Sequence, residues 1–101
     1  MVSMFPVEIA PGTVCTGIEI ELPQTHLAIV CGRRGYIMCG ALDVALLDER
    51  LGDRRIVAAR AQGVRNVPQL LAAPLSDVTA EAQRLGVREG MLGAEAMKLM
   101  V

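Results

Sequence analysis

The stretch GYIMCGALDV, residues 35–44, is where the fold is decided. Tyr36, Ile37, Met38 and Cys39 make an apolar run of strand character that stops at Gly40. From Ala41 the apolar period becomes that of a helix, with Asp43 in its first turn. A helix is expected over residues 41–51, and a further strand over residues 55–61. Strand, helix and strand in this order form a βαβ unit, whose crossover is right-handed and whose two strands run parallel. The helix has few polar positions: Asp43 and Arg50 share one narrow stripe, and Asp48 and Glu49 sit near its end. A helix apolar nearly all round is covered on more than one side, here by a sheet beneath and a neighbouring subunit above.

Upstream of this unit the chain reads as strands. Residues 4–9 form a first strand, with Pro6 placing it at an edge. After the Pro11-Gly12 turn, residues 14–22 alternate, with Val14, Thr16, Ile18, Ile20 and Leu22 on one face. Cys15, Gly17, Glu19 and Glu21 fall on the other, which the two glutamates mark as the wetter side. Pro23-Gln24 turns the chain into a strand over 25–31. Gly32-Arg33-Arg34-Gly35 then makes the hairpin loop that leads to Tyr36. Both strands of that hairpin are apolar on both faces and so are central.

Downstream the pattern is helical. Asn66 and Gln69 have capping-box spacing ahead of a short helix over 67–72, with Pro68 in its first turn. Pro74 separates it from a second helix over 76–85 that stops at Gly86, and a last helix runs over 93–100. The expected fold is α+β, one domain over residues 1–101. A mostly antiparallel sheet of about five strands carries one βαβ crossover, and the helices concentrate in the C-terminal half.

Composition excludes more functions than it supports. Among 101 residues 52% are hydrophobic, yet the only aromatics are Phe5 and Tyr36, so the core is aliphatic. That apolar share is high for a small domain and points to a homo-oligomer as the assembly to expect. A net charge of −1 provides no steering field for nucleic acid or membrane, and neither is expected as a partner. The first ten residues, with Pro6 and Glu8 and no basic segment, do not read as a signal peptide. Three cysteines, Cys15, Cys31 and Cys39, are an odd number for a disulfide framework, so a reduced, cytoplasmic protein is expected.

The motifs resemble known chemistries without completing them. Gly35 and Gly40 have the glycine spacing of a phosphate loop, but Ala41-Leu42 stands where that loop has its lysine and hydroxyl. Gly40 before a helix offers backbone N–H groups to an anion, which Asp43 in the first turn opposes. Arg50, Arg54, Arg55, Arg60 and Arg65 hold half of the ten basic charges around the last strand. Gly40, Asp43, Arg60 and Arg65 are accordingly the candidate ligand-binding residues, Arg60 being equally suited to pair with a carboxylate. Cys39, one residue before a helix start, is the candidate catalytic thiol. The hairpin register sets Ala28 opposite Cys39 with His26 diagonal to it, at about 7–8 Å backbone separation, a spacing compatible with a Cys–His pair without establishing its hydrogen bond. The same register turns Cys31 away from Cys39, which disfavours a disulfide. The cysteine spacings contain no close pair of metal-ligand type, so no metal and no cofactor are expected.

Four blocks, GYIMCGALDVALL, IVAARAQGV, QLLAAPLSDVT and LGVREGMLGAEA, resemble the YunC-like proteins, a bacterial and archaeal family classed as a domain of unknown function. The resemblance runs from the second strand to the last helix. It implies a compact α+β fold and a cytoplasmic protein, and it brings no established activity. Its signature falls on Gly35 to Asp43 and does not include His26. Leu92 stands where a small hydroxyl residue would cap the last helix, which implies a looser start there.

Three functions from different classes fit: a non-catalytic homo-oligomeric module, a module binding an unidentified small ligand near Gly40, and a thiol-dependent enzyme using Cys39. Whether the protein is an enzyme stays open at this point.

Overall fold

The computed structural model describes residues 1–40 and 55–101. The helix expected over 41–51, and with it Asp43, lies outside the described residues. Six strands form one sheet in chain order. They are β1 (Val2–Ala10), β2 (Thr13–Leu22), β3 (Thr25–Cys31), β4 (Tyr36–Met38), β5 (Ala58–Arg60) and β6 (Asp77–Val78). Each neighbouring pair is antiparallel except β4–β5, which is parallel, as a βαβ crossover requires. Three short helices follow the crossover: α1 (Val67–Ala72), α2 (Ala80–Arg84) and α3 (Gly93–Met100).

The β3–β4 hairpin adopts the expected register, with Cys31 opposite Tyr36 and Val30 opposite Ile37. Its loop closes by Gly32 N–H donating to the Gly35 carbonyl at 2.8 Å. β1 is the edge strand that Pro6 calls for. β5 is shorter than the expected 55–61 because Arg55 sits at φ 51, a left-handed conformation that no strand residue adopts. The helix expected over 76–85 begins later: Asp77 and Val78 pair with Arg60 and Ala59 as β6, and the helix starts from Thr79. The exposed edge of β5 offers backbone partners that Asp77 and Val78 take in preference to a first helical turn.

Thr79 is the joint of this region. It is fully buried, and its Oγ1 accepts from Ala58 N–H at 3.1 Å and Ala82 N–H at 3.3 Å while donating to the Ile56 carbonyl at 2.8 Å. One hydroxyl thus caps α2 and completes the backbone bonding of the strand beside it. At α1 the Asn66 side chain accepts from Gln69 N–H at 2.9 Å, the expected cap. Gln69 returns its oxygen to Arg65 N–H rather than to Asn66, so the box is offset by one residue. Leu92 gives α3 no side-chain cap, and the helix start is held instead by Gly93 N–H donating to the Ala73 carbonyl at 3.0 Å.

The two faces of the sheet are used in the reverse of the order that polarity implies. α1 and α3 pack on the face carrying Cys15, Ala28, Val30, Ile37, Ala59 and Ala61. Alanines at 28, 59 and 61 leave room above the sheet, Ile37 and Val30 fill the core, and Phe5 and Val7 of β1 lie over Gly17. Glu19 belongs to this inner face and is half-buried, its Oε2 accepting from Val67 N–H at 2.8 Å. The larger apolar row is the outer one. Met4 is 68% exposed, Val14 59% and Cys15, on the inner side, only 4%. Register places Val2 beside Ile20 and Met4 beside Ile18, so these four form an apolar patch across β1 and β2, from which the Pro6–Thr16 pair separates Val14.

Candidate functional site

The parallel pairing of β4 and β5 sets Met38 beside Arg60, so the C-terminal ends of both strands meet at one edge of the sheet. Gly40 leaves β4 there, next to Gln62: the atoms nearest to a Cβ at Gly40, among the described residues, are Gln62 Cα and Cγ at 3.9 Å. Gly40 does not take a positive φ, so its backbone makes no demand for glycine.

Arg60 points to the outer face and is held by its neighbour strand. Its Nε lies 2.6 Å from Asp77 Oδ2, and Ser76 Oγ donates to the same oxygen at 2.8 Å. The hydrogen bonds from Arg60 and then Ser76 hold the Asp77 carboxyl below its usual range. Arg60 is therefore engaged in the ion pair that its face position allows.

Arg65 lies elsewhere, in the loop ahead of α1. With Gln24, Thr25, His26, Gly63 and Val64 it lines a cleft of about 560 Å³. A smaller adjoining hollow of about 80 Å³ shares Arg65 and His26 and adds Ser3, Glu19 and Glu21. Arg60 and Arg65, each expected as an anion partner near Gly40, are separated: Arg60 is held by Asp77, and Arg65 lines clefts together with His26.

Cys39 N–H donates to the Ala28 carbonyl at 3.1 Å, which confirms the strand register and leaves His26 diagonal to Cys39. The two side chains have different surroundings, however. Cys39 is 4% exposed, whereas His26 is exposed and lines the clefts it shares with Arg65. Cys39 lines neither. Burial, together with the nearby Cys31, raises the Cys15 thiol above its usual range, and burial raises Cys31. All three cysteines are free. Treatment of the native protein with iodoacetamide is expected to label half-buried Cys31 first, with Cys39 reacting more slowly than in the unfolded chain. A native Cys39 that labels faster than its unfolded counterpart would restore the thiol-enzyme reading.

A further arginine group went unseen in the sequence. Arg33 and Arg34, read as a hairpin tip, and Arg55, read as the start of a strand, line one cleft of about 310 Å³ with Tyr36. The signal was available: two parallel strands that start in register bring their preceding residues together. Tyr36 opposite Ala58 places residues 33–35 beside 55–57. Among the described residues, no group of three or more His, Cys, Asp or Glu is placed to hold a metal ion. No described helix is long and apolar enough to cross a membrane.

Comparison with known proteins agrees with this architecture. Residues 38–100 match the family described as a domain of unknown function, DUF1805. Over its full length the chain is 50% identical to the uncharacterized protein YunC of Bacillus subtilis (strain 168), covering 99% of that protein. The crystal structure of TA1206, a protein of unknown function from Thermoplasma acidophilum, has the same fold: TM-score 0.87 at 25% identity, covering 100% of this chain and 94% of that one.

Proposed function

Because the chain belongs to the DUF1805 family of YunC-like proteins, described only as a domain of unknown function, its own surface has to supply the functional reading, and we propose a non-catalytic module that works as a homo-oligomer. The observation that carries this reading is the apolar outer face of β1 and β2. Val2, Met4 and Leu22 are exposed there around half-buried Ile18 and Ile20, and exposed Val14 lies beyond Thr16. Glu8, opposite Val14, is the one charged residue on this face of the two strands.

A second copy is the partner that fits such a surface. An apolar face with almost no charge is its own complement, and a two-fold contact uses the same patch on both subunits. Contiguous exposed apolar patches are also uncommon on monomers unless they serve an interaction. Against catalysis stands the placement of Cys39, buried and outside the clefts that His26 lines.

Light scattering coupled to size exclusion tests the proposal. At micromolar concentration the protein is expected to run at twice its chain mass or more. Met4→Glu, a change at an exposed position, is expected to give a folded monomer. Leu92→Glu, also at an exposed position but away from the sheet face, is expected to leave the assembly intact. A wild-type protein that is cleanly monomeric overturns the reading.

A further inference from the structure

We propose that the cleft formed by Arg33, Arg34, Arg55 and Tyr36 is a binding site for a small multivalent oxyanion, a phosphorylated or polycarboxylate metabolite. Three arginines line this cleft of about 310 Å³, and among the described residues no Asp or Glu does. Among the described residues none of the three has an ion-pair partner; the salt bridges there belong to Arg60, Arg84 and Lys98. Like charges collected in one place repel, and an anion of matching valence relieves that repulsion. The planar guanidinium fork suits phosphate and carboxylate oxygens alike, because both accept two parallel N–H bonds. The volume lies near the lower end of small-molecule sites, about 300–1,000 Å³.

The site is held in shape by backbone contacts rather than by the arginines themselves. Tyr36 N–H donates to the Val57 carbonyl at 3.1 Å, and Arg34 N–H donates to the Met100 carbonyl at 2.8 Å. A Cβ at Gly35 would stand 2.5 Å from the Val57 oxygen, so only glycine lets the hairpin tip lie this close to residues 55–57. The two arginine-bearing segments are thus fixed against each other before any ligand arrives, which lowers the entropy lost on binding.

Arg55 provides a second and separate indication. It sits at φ 51, a left-handed conformation that long side chains rarely occupy and that glycine takes freely. An arginine kept at a position better suited to glycine is the kind of local strain that collects at binding sites. Here the strain coincides with the cleft to which Arg55 contributes its charge.

The test is a ¹H–¹⁵N NMR titration of the full chain with inorganic phosphate, pyrophosphate and citrate, at constant ionic strength set with sodium chloride. Saturable shifts are expected at the amides of residues 31–36 and 55–57. Arg55→Gly is chosen because it relaxes the backbone and keeps the fold; it is expected to weaken binding about 10- to 100-fold. Arg34→Gln is expected to weaken it similarly, and Lys98→Gln to leave it unchanged. Tighter binding of pyrophosphate than citrate identifies the ligand as phosphorylated, and the reverse order identifies a polycarboxylate. Shifts that grow linearly without saturation, or an Arg55→Gly variant that binds as well as wild type, overturn the proposal. Neither result bears on self-association, which uses another part of the sheet.

Discussion

Thr79→Val is expected to lower stability by about 3–4 kcal/mol, read as a shift in the urea midpoint with an unchanged slope. The substitution keeps the shape of the side chain and removes only the hydroxyl's hydrogen bonds. Ala58 N–H, Ala82 N–H and the Ile56 carbonyl all lose their partner, at a residue with no exposure through which water could replace it. Each buried backbone group left alone costs about 1–3 kcal/mol, and the sum is reduced as the structure relaxes. The backbone bond from Thr79 N–H to the Ala58 carbonyl at 3.0 Å survives the change, so the sheet should remain recognisable. Thr79→Ser keeps the oxygen and loses one methyl group, for about 1 kcal/mol. A Val variant as stable as the Ser variant would show that the hydroxyl does not join β5 to α2.

Gly93→Ala is expected to cost about 2–3 kcal/mol, read in the same way. A Cβ at this position would collide with the Leu70 carbonyl oxygen of α1 and stand 3.0 Å from Ile37 Cδ1. The first of these is backbone and cannot swing aside, while Gly93 N–H is tied to the Ala73 carbonyl. The start of α3 and the last turn of α1 are in backbone contact. A methyl group forces them apart and opens the core around Met97 and Leu70, both fully buried. Gly12→Ala is the matching comparison. Nothing lies within 4 Å of its Cβ position, and its φ of 78° alone should cost about 1 kcal/mol. Equal losses at the two positions would mean that the α1–α3 contact is not under steric constraint.

Local signals in the sequence were read correctly where local chemistry decides the outcome. The four-residue hairpin loop sets its own register, and Asn66 with Gln69 fixes where α1 begins, because caps and turns are settled by neighbours in the chain. Pro6 likewise places β1 at the edge. What was not legible depends on distant partners. Glu19 and Glu21 seemed to mark a wet face, yet Glu19 turns inward to Val67 N–H, a residue far along the chain. The period of β2 was right and its side was wrong. Val78 fits a helical face with Ala82 and Leu85, and only the open edge of β5 converts it to a strand. Among the candidate site residues, Arg60 pairs with a carboxylate, Arg65 lines a cleft that His26 shares, and Cys39 is buried. Arg33, Arg34 and Arg55 become neighbours only once β4 and β5 are aligned.

The parallel β4–β5 pair also sets an order of events in folding. β1 to β4 follow one another through short turns, so their ladders zip together with little loss of chain entropy. β5 can join only after residues 39–57 have been closed into a loop, and β6, α1 and α3 complete the core behind it. Long-range pairings of this kind form late, because the entropy of closure is lost before the contacts compensate it. The meander should therefore resemble the native state at the folding barrier, while the region around Thr79 remains unformed. On that basis Thr79→Val speeds unfolding and leaves the refolding rate nearly unchanged, whereas a weakened β2–β3 ladder slows refolding itself.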